Sequence, residues 1–163
     1  MKSKCDLVYD FLQGRINVDL LRPVFGKDFA DVKADVIPIL EQSLASHEAD
    51  EVELAVTLAH YFGLQREQTP ILCKLLLEDW HTSHENIASS LQKLADPRST
   101  DSLRQASQFR LAYLDYDENH GLARKCTWAL AAIGTAEAIE ALVWISENSD
   151  EMVAGYARKR LPQ

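Results

Sequence analysis

Histidines, cysteines and clustered carboxylates are the side chains here that could hold a metal or act in catalysis, and their spacing decides what each could do. Asp115-Tyr116-Asp117-Glu118-Asn119-His120-Gly121 sets oxygen ligands at alternate positions, as the first half of a calcium loop does. The pattern then fails: the sixth position is His120 where the turn needs glycine, and the twelfth is Cys126 where a bidentate acid is needed. The stretch reads instead as an acidic connection between two helices. His81-Thr82-Ser83-His84 has zinc-compatible spacing but lacks the second ligand pair that a closed site requires. Cys5, Cys73 and Cys126 are odd in number and far apart, so no disulfide framework is expected and a reducing compartment fits. Cys73 and Cys126 fall within apolar helical patterns and read as buried structural thiols. No Ser-His-Asp or Cys-His grouping is visible, and the glycines do not cluster as a phosphate loop would require. Catalytic residues, metal and cofactor are therefore expected to be none.

What is left for function is surface. Glu140, Trp144 and Glu147 fall at i, i+4 and i+7 of one helical pattern, opposite Ile139, Leu142 and Val143, which places Trp144 among acids on the exposed side. An exposed tryptophan is a typical interface anchor. Trp80 beside Glu78 and Asp79 repeats the combination earlier in the chain, and Glu41 adds a further acid. Trp80 and Trp128 also fit a second reading, in which they cap the core at helix ends.

Charge sharpens this. The formal net charge of −8 is unevenly placed: residues 1–34 carry six bases and five acids, 35–97 three bases and eleven acids, 98–163 eight bases and nine acids. Such a field repels phosphate backbones and attracts a basic protein surface. A basic protein partner is thus expected, and nucleic acid is not. Asp6 and Asp10 interrupt any apolar leader at the N-terminus, and no apolar run is long enough to cross a bilayer, so a soluble, cytoplasmic protein is expected.

The elements that must position these groups are helices. In 163 residues, 47% hydrophobic and 26% charged, six glycines and five prolines are too few for a turn-rich strand fold. Ala55, Leu58, Ala59 and Phe62 form a stripe of helical period ending at Gly63. The stripe recurs as Ile87, Ala88, Leu91, Leu94 and Ala95, again as Leu122, Cys126, Ala129, Leu130 and Ile133 before Gly134, and begins a fourth time at Val153, Ala157 and Leu161. The small positions Ala55, Ala88, Cys126 and Ala157 are separated by 33, 38 and 31 residues, the drifting period of a helical repeat. Second helices are expected between them over 36–45, 69–80, 102–114 and 136–146. Thr69 with Pro70 and Thr135 with Glu137 supply starts for two of them.

The stretch from Leu122 through Arg124, Cys126, Ala129, Leu130, Ile133, Gly134, Ala138 and Ile139 to Leu142 resembles the HEAT-like repeat of bacterial lyase-type solenoids, and Asp35-Val36-Ile37-Pro38-Ile39-Leu40 resembles the opening of its second helix. The resemblance extends loosely over 35–163. It departs at Asp96-Pro97, where the family has Gly-Asp, and in the register of Arg124. It implies an all-α, right-handed α-solenoid of about three to four antiparallel helix pairs within a single domain 1–163. Residues 1–34, where Leu7, Val8, Phe11 and Leu12 and then Leu20, Leu21, Val24 and Phe25 before Gly26 have helical spacing, would form an N-terminal cap.

By the same resemblance the second helices line a concave face, so Glu41, Glu78, Asp79, Trp80, Glu140, Trp144 and Glu147 would share one groove for a basic partner. Small acidic antagonists of this kind include immunity proteins that neutralise a cognate toxin. The resemblance also admits a lyase-like or metal-dependent HEAT enzyme. His47-Glu48 and His84-Glu85 look like the ligand pairs of HEAT-repeat iron hydroxylases, but they precede Ala55 and Ala88 by eight and four residues and so occupy unequal positions in their repeats.

Overall fold

The computed structural model describes residues 1–25, 31 and 35–162, and among them it is all-helical with no strand. Gly26, the expected end of the second N-terminal segment, lies outside the described residues. The chain divides into two compact units, Met1–Gly63 and Leu64–Gln163.

The first unit contains α1 (Lys4–Leu12), the short α2 (Arg22–Phe25), α3 (Val36–Ser46) and α4 (Ala49–Phe62). Ser3 and Asp6 close a capping box at the start of α1, each satisfying the other's backbone N–H. The packed face of α1, Val8 and Phe11, meets α4 through a ring cluster in which Phe11 lies 4.8 Å from Tyr61 and 5.9 Å from Phe62. Leu21 and Phe25 are buried but Leu20 is exposed, so the second N-terminal segment covers core with only part of its apolar set. From α4 the expected residues Ala55, Leu58 and Ala59 are fully buried, and Gly63 ends the helix with a φ of 101° that only glycine adopts freely.

The second unit contains α5 (Thr69–Leu76), α6 (His84–Leu94), α7 (Thr100–Ala106), α8 (Gly121–Ile133), α9 (Ala136–Asn148) and α10 (Glu151–Arg158). Here α5, α7 and α9 pack in succession as one layer, α6, α8 and α10 as the other, with α8 touching α6, α7, α9 and α10. This is the layering of HEAT-like helix pairs. The stripe positions explain it: Ala88, Leu91, Cys126, Ala129, Leu130, Val153 and Ala157 are all buried, and small side chains at the contacts let the helices approach closely. Gly134 takes the left-handed φ of 67° that closes α8, and the Thr135 hydroxyl accepts from the Ala138 N–H to open α9, as expected.

Four expectations need correction. The helix expected over 69–80 stops at Leu76, because the amides of Leu77 and Glu78 turn back to Lys74 and Leu75 in tight i to i−3 bonds. The helix expected over 102–114 stops at Ala106, where the Ser107 hydroxyl donates to the Arg104 carbonyl, and a separate turn follows at Ala112–Leu114. Thr69 lies inside α5 and caps nothing, since its hydroxyl donates to Asp96 at 3.2 Å. Finally, α9 is rotated from the expected phase: Ala138, Ala141, Leu142 and Ile145 are buried, whereas Ile139 is only half-buried and Val143 is exposed.

Leu130 is fully buried at the helix that touches both layers. Leu130→Ala should cost roughly 2 to 5 kcal/mol, through lost burial plus a residual cavity, and Ile139→Ala clearly less. Urea unfolding of the two variants checks the order.

Candidate functional site

The layer α5, α7, α9 presents a groove between α7 and α9, lined by Pro97, Thr100, Asp101, Arg104, Glu137, Glu140, Ala141 and Trp144, with Arg98 at its rim. Helical spacing builds it: Asp101 and Arg104 follow one side of α7, Pro97 stands in the turn before it, and Glu137, Glu140 and Trp144 follow one side of α9. Trp144 is 38% exposed, and the Arg104 guanidinium stands over its ring 4.9 Å from the centroid. Arg104 also donates to Asp101 at 2.8 Å, and Arg98 to Asp96 at 2.6 Å. Both cations of the groove are thus neutralised by carboxylates. Glu137 and Glu140 pair with no base among the described residues, so the groove is left with negative charge around an exposed indole.

Asp96 anchors one wall. It is buried and accepts from Thr69, from the Arg98 amide and from the Arg98 side chain, and the Arg98 guanidinium hydrogen bonds hold its carboxyl down at about 2. Arg98 in turn donates to the Arg66 carbonyl at 2.7 Å. Asp96-Pro97 is therefore a junction joining the start of α5 to the turn before α7.

Of the residues expected to share one groove, Glu140 and Trp144 do so. Glu147 lies exposed one to two turns farther along α9. Glu78 and Asp79 line a different cleft with Leu77, Phe109, Arg110 and Leu111, and Trp80 donates its indole N–H to Glu78 at 2.8 Å. Glu41 is exposed on α3, in the other unit. Sequence reasoning missed Asp101 and Arg104, although their i, i+3 spacing on a short helix next to α9 was a usable signal.

It also missed how the 77–83 loop is held. His81 is buried and donates from Nε2 to the Leu75 carbonyl at 2.8 Å, while its Nδ1 accepts from the Ser83 amide at 3.1 Å. His84, fully buried and stacked on His81 at 4.2 Å, donates from Nε2 to the Glu78 carbonyl at 2.5 Å and accepts at Nδ1 from the Tyr113 hydroxyl at 2.9 Å. All four ring nitrogens are engaged, and each ring is held neutral with the proton on Nε2. Burial drives the His84 pKa down to about 4 and lowers that of His81, and the Tyr113 hydroxyl is pushed up to about 12. The zinc-like spacing thus serves to terminate α5 and to position Glu78, Asp79 and Trp80.

The calcium-like stretch has a similar role. Asp117 accepts the amide of Asn119 at 3.0 Å and that of Gly121 at 2.6 Å, capping α8. A β-carbon at Gly121 would stand 2.7 Å from the Asp117 carboxylate and 2.8 Å from that of Glu85, so a larger residue there would have to displace both side-chain ends. His47 closes α3 in the left-handed conformation and Glu48 precedes α4, whereas Glu85 lies 3.4 Å from Lys125. Cys126 is fully buried and its thiol is pushed up to about 12, as expected of a structural thiol, whereas Cys73, expected to be buried with it, is only half-buried. Among the described residues no group of three or more metal-ligating side chains converges, and no helix is long and apolar enough to cross a membrane.

The neutral histidine pair has a consequence in acid. The unfolded chain takes up a proton at His84 near pH 6.5 but the folded chain only near 4, so the unfolded state binds more protons in that window and stability falls as pH drops through it. The urea midpoint should decline between pH 6.5 and about 4, and His84→Gln should flatten that decline.

Comparison with known proteins places one segment. Residues 122–148 match the PBS lyase HEAT-like repeat, a span that runs from the first turn of α8 to the end of α9. No curated protein and no solved structure matches the chain. The paired helices that carry Glu140 and Trp144 are accordingly a HEAT-like repeat, set in an all-helical chain.

Proposed function

We propose that this protein is a non-catalytic binding module that captures a basic protein partner in the groove between α7 and α9. HEAT-like repeats commonly mediate protein–protein interaction, and the groove lies on the layer that includes the second helix of the matched repeat. The single observation that carries the choice of partner is the charge balance at Trp144. Arg98 and Arg104 are already paired, leaving Glu137 and Glu140 beside an exposed indole that can anchor a cationic or mixed side chain. The net charge of −8 adds long-range attraction for the same partner. The finer reading is an immunity protein that neutralises a basic toxin; the acidity of the chain supports it.

The test uses an immobilised lysine- and arginine-rich helical peptide and surface plasmon resonance across a salt series. Association should slow as salt rises, because screening acts over a Debye length of about 8 Å at physiological ionic strength. Charge reversal at Glu78 and Asp79, which weakens the field without touching the groove, should lower mainly the on-rate. Trp144→Ala should raise the off-rate by a factor equivalent to about 2 kcal/mol, because an anchor is lost after docking. Salt-independent association, unaltered by both changes, would reject the proposal.

A further inference from the structure

The other layer of the second unit carries an arrangement of opposite sign. Trp128, half-buried on α8, has two guanidiniums against its ring: Arg124, one turn earlier on the same helix, and Arg160, two residues beyond the end of α10, each 5.4 Å from the indole centroid. A shallow cleft runs beside them, lined by Gln92 of α6, Trp128 and Ala131 of α8, and Arg160.

Among the described residues these two arginines lack an ionic partner, as Arg66 does, but unlike Arg66 they converge on one indole. In the same unit Arg98, Arg104, Arg110 and Arg158 each pair with a carboxylate, as a chain with more acids than bases readily allows. Among the described residues no carboxylate pairs with Arg124 or Arg160. Independently, the Arg124 Nε is shielded from solvent and has no hydrogen-bond partner. A shielded donor on a cation, left unmade, is costly in a free protein and is relieved when an acceptor arrives.

From this we infer that Arg124, Trp128 and Arg160 form a second docking site, for a short acidic peptide segment of a partner protein. Stacking on the indole holds both guanidiniums in place, so each planar fork can meet a carboxylate through two parallel N–H···O bonds at reduced ordering cost. Trp128 and Ala131 offer apolar surface to a side chain lying between the two carboxylates. A nucleic acid fits less well: it needs a long row of free cations, whereas Lys125 and Arg158 already pair with Glu85 and Glu151, Lys159 adds one further base beside Arg160, and the chain as a whole is acidic. The site lies on other helices than the α7–α9 groove and does not depend on that groove's function.

Fluorescence anisotropy on the full chain tests this with a labelled Glu-Leu-Glu-containing peptide, a lysine-substituted control and a single-stranded DNA oligonucleotide of equal formal charge. The acidic peptide should bind and the control should not. Arg160→Gln, an exposed change beyond the last helix, should weaken binding about tenfold or more, the loss expected for one charge-assisted pair, while Arg158→Gln should leave it nearly unchanged. Arg124→Gln and Trp128→Leu should also weaken it, with the fold checked by circular dichroism. No peptide binding, or binding indifferent to Arg160→Gln, overturns the inference. So does tighter binding of the DNA, or sedimentation showing that the chain self-associates through this cluster and that Arg160→Gln abolishes it.

Discussion

Short helices leave a large share of their backbone groups at ends, and every one of those groups must find a partner or remain in water. Much of the second unit follows from that constraint. The α5 terminus gives the Leu75 carbonyl to His81 and the loop after it gives the Glu78 carbonyl to His84, while α8 receives its first-amide acceptor from Asp117, α9 its cap from Thr135, and α10 from Asp150. Asp96 does the same for the turn before α7 and simultaneously ties down Arg98. Polar residues that look like fragments of metal or calcium sites in the linear sequence are absorbed in this way. The loops they fix then carry the exposed acids and aromatics.

Once these groups are satisfied, the charges that remain sort by layer. On α7 and α9 the bases are matched and two acids are left over beside Trp144. Around α8 and the end of α10 the balance reverses, and two guanidiniums are left over beside Trp128. Net charge alone conceals this, because the last segment of the chain is nearly neutral. The distribution follows from helical phase: Arg124 and Trp128 share one side of α8, Glu140 and Trp144 one side of α9, and the helices belong to different layers.

The helical stripe and its small positions were legible because burial imposes a 3.6-residue period on many residues at once. Leu58, Leu91, Leu130 and Leu142 are all buried as that period requires. The phase of α9 was not, since Ile139 and Val143 are as apolar as the residues that do face inward, and only packing against α8 and α10 decides among them. Helix ends were misjudged at Trp80 and Leu114 for a related reason. At the end of α5 the amides turn into tight i to i−3 bonds and an imidazole reaches back to a carbonyl six residues earlier, contacts that spacing does not announce. In the candidate site, Glu140 and Trp144 could be paired from one helix, but Asp101 and Arg104 depend on which helix lies alongside. Glu78 and Asp79 were placed in the same groove by analogy between helix ends that differ in the folded chain.

The three tryptophans differ in the company they keep. Trp80 donates to a carboxylate, Trp128 lies against two guanidiniums, and Trp144 lies against one. Indole emission responds to just such neighbours in colour and yield. Each ring therefore watches a different stretch of surface, and replacing any two with phenylalanine leaves a single indole, excited to the red of the tyrosines, reporting on the loop after α5, the guanidinium pair, or the acidic groove alone. The protein carries its own optical labels, one for each face on which a ligand could be sought.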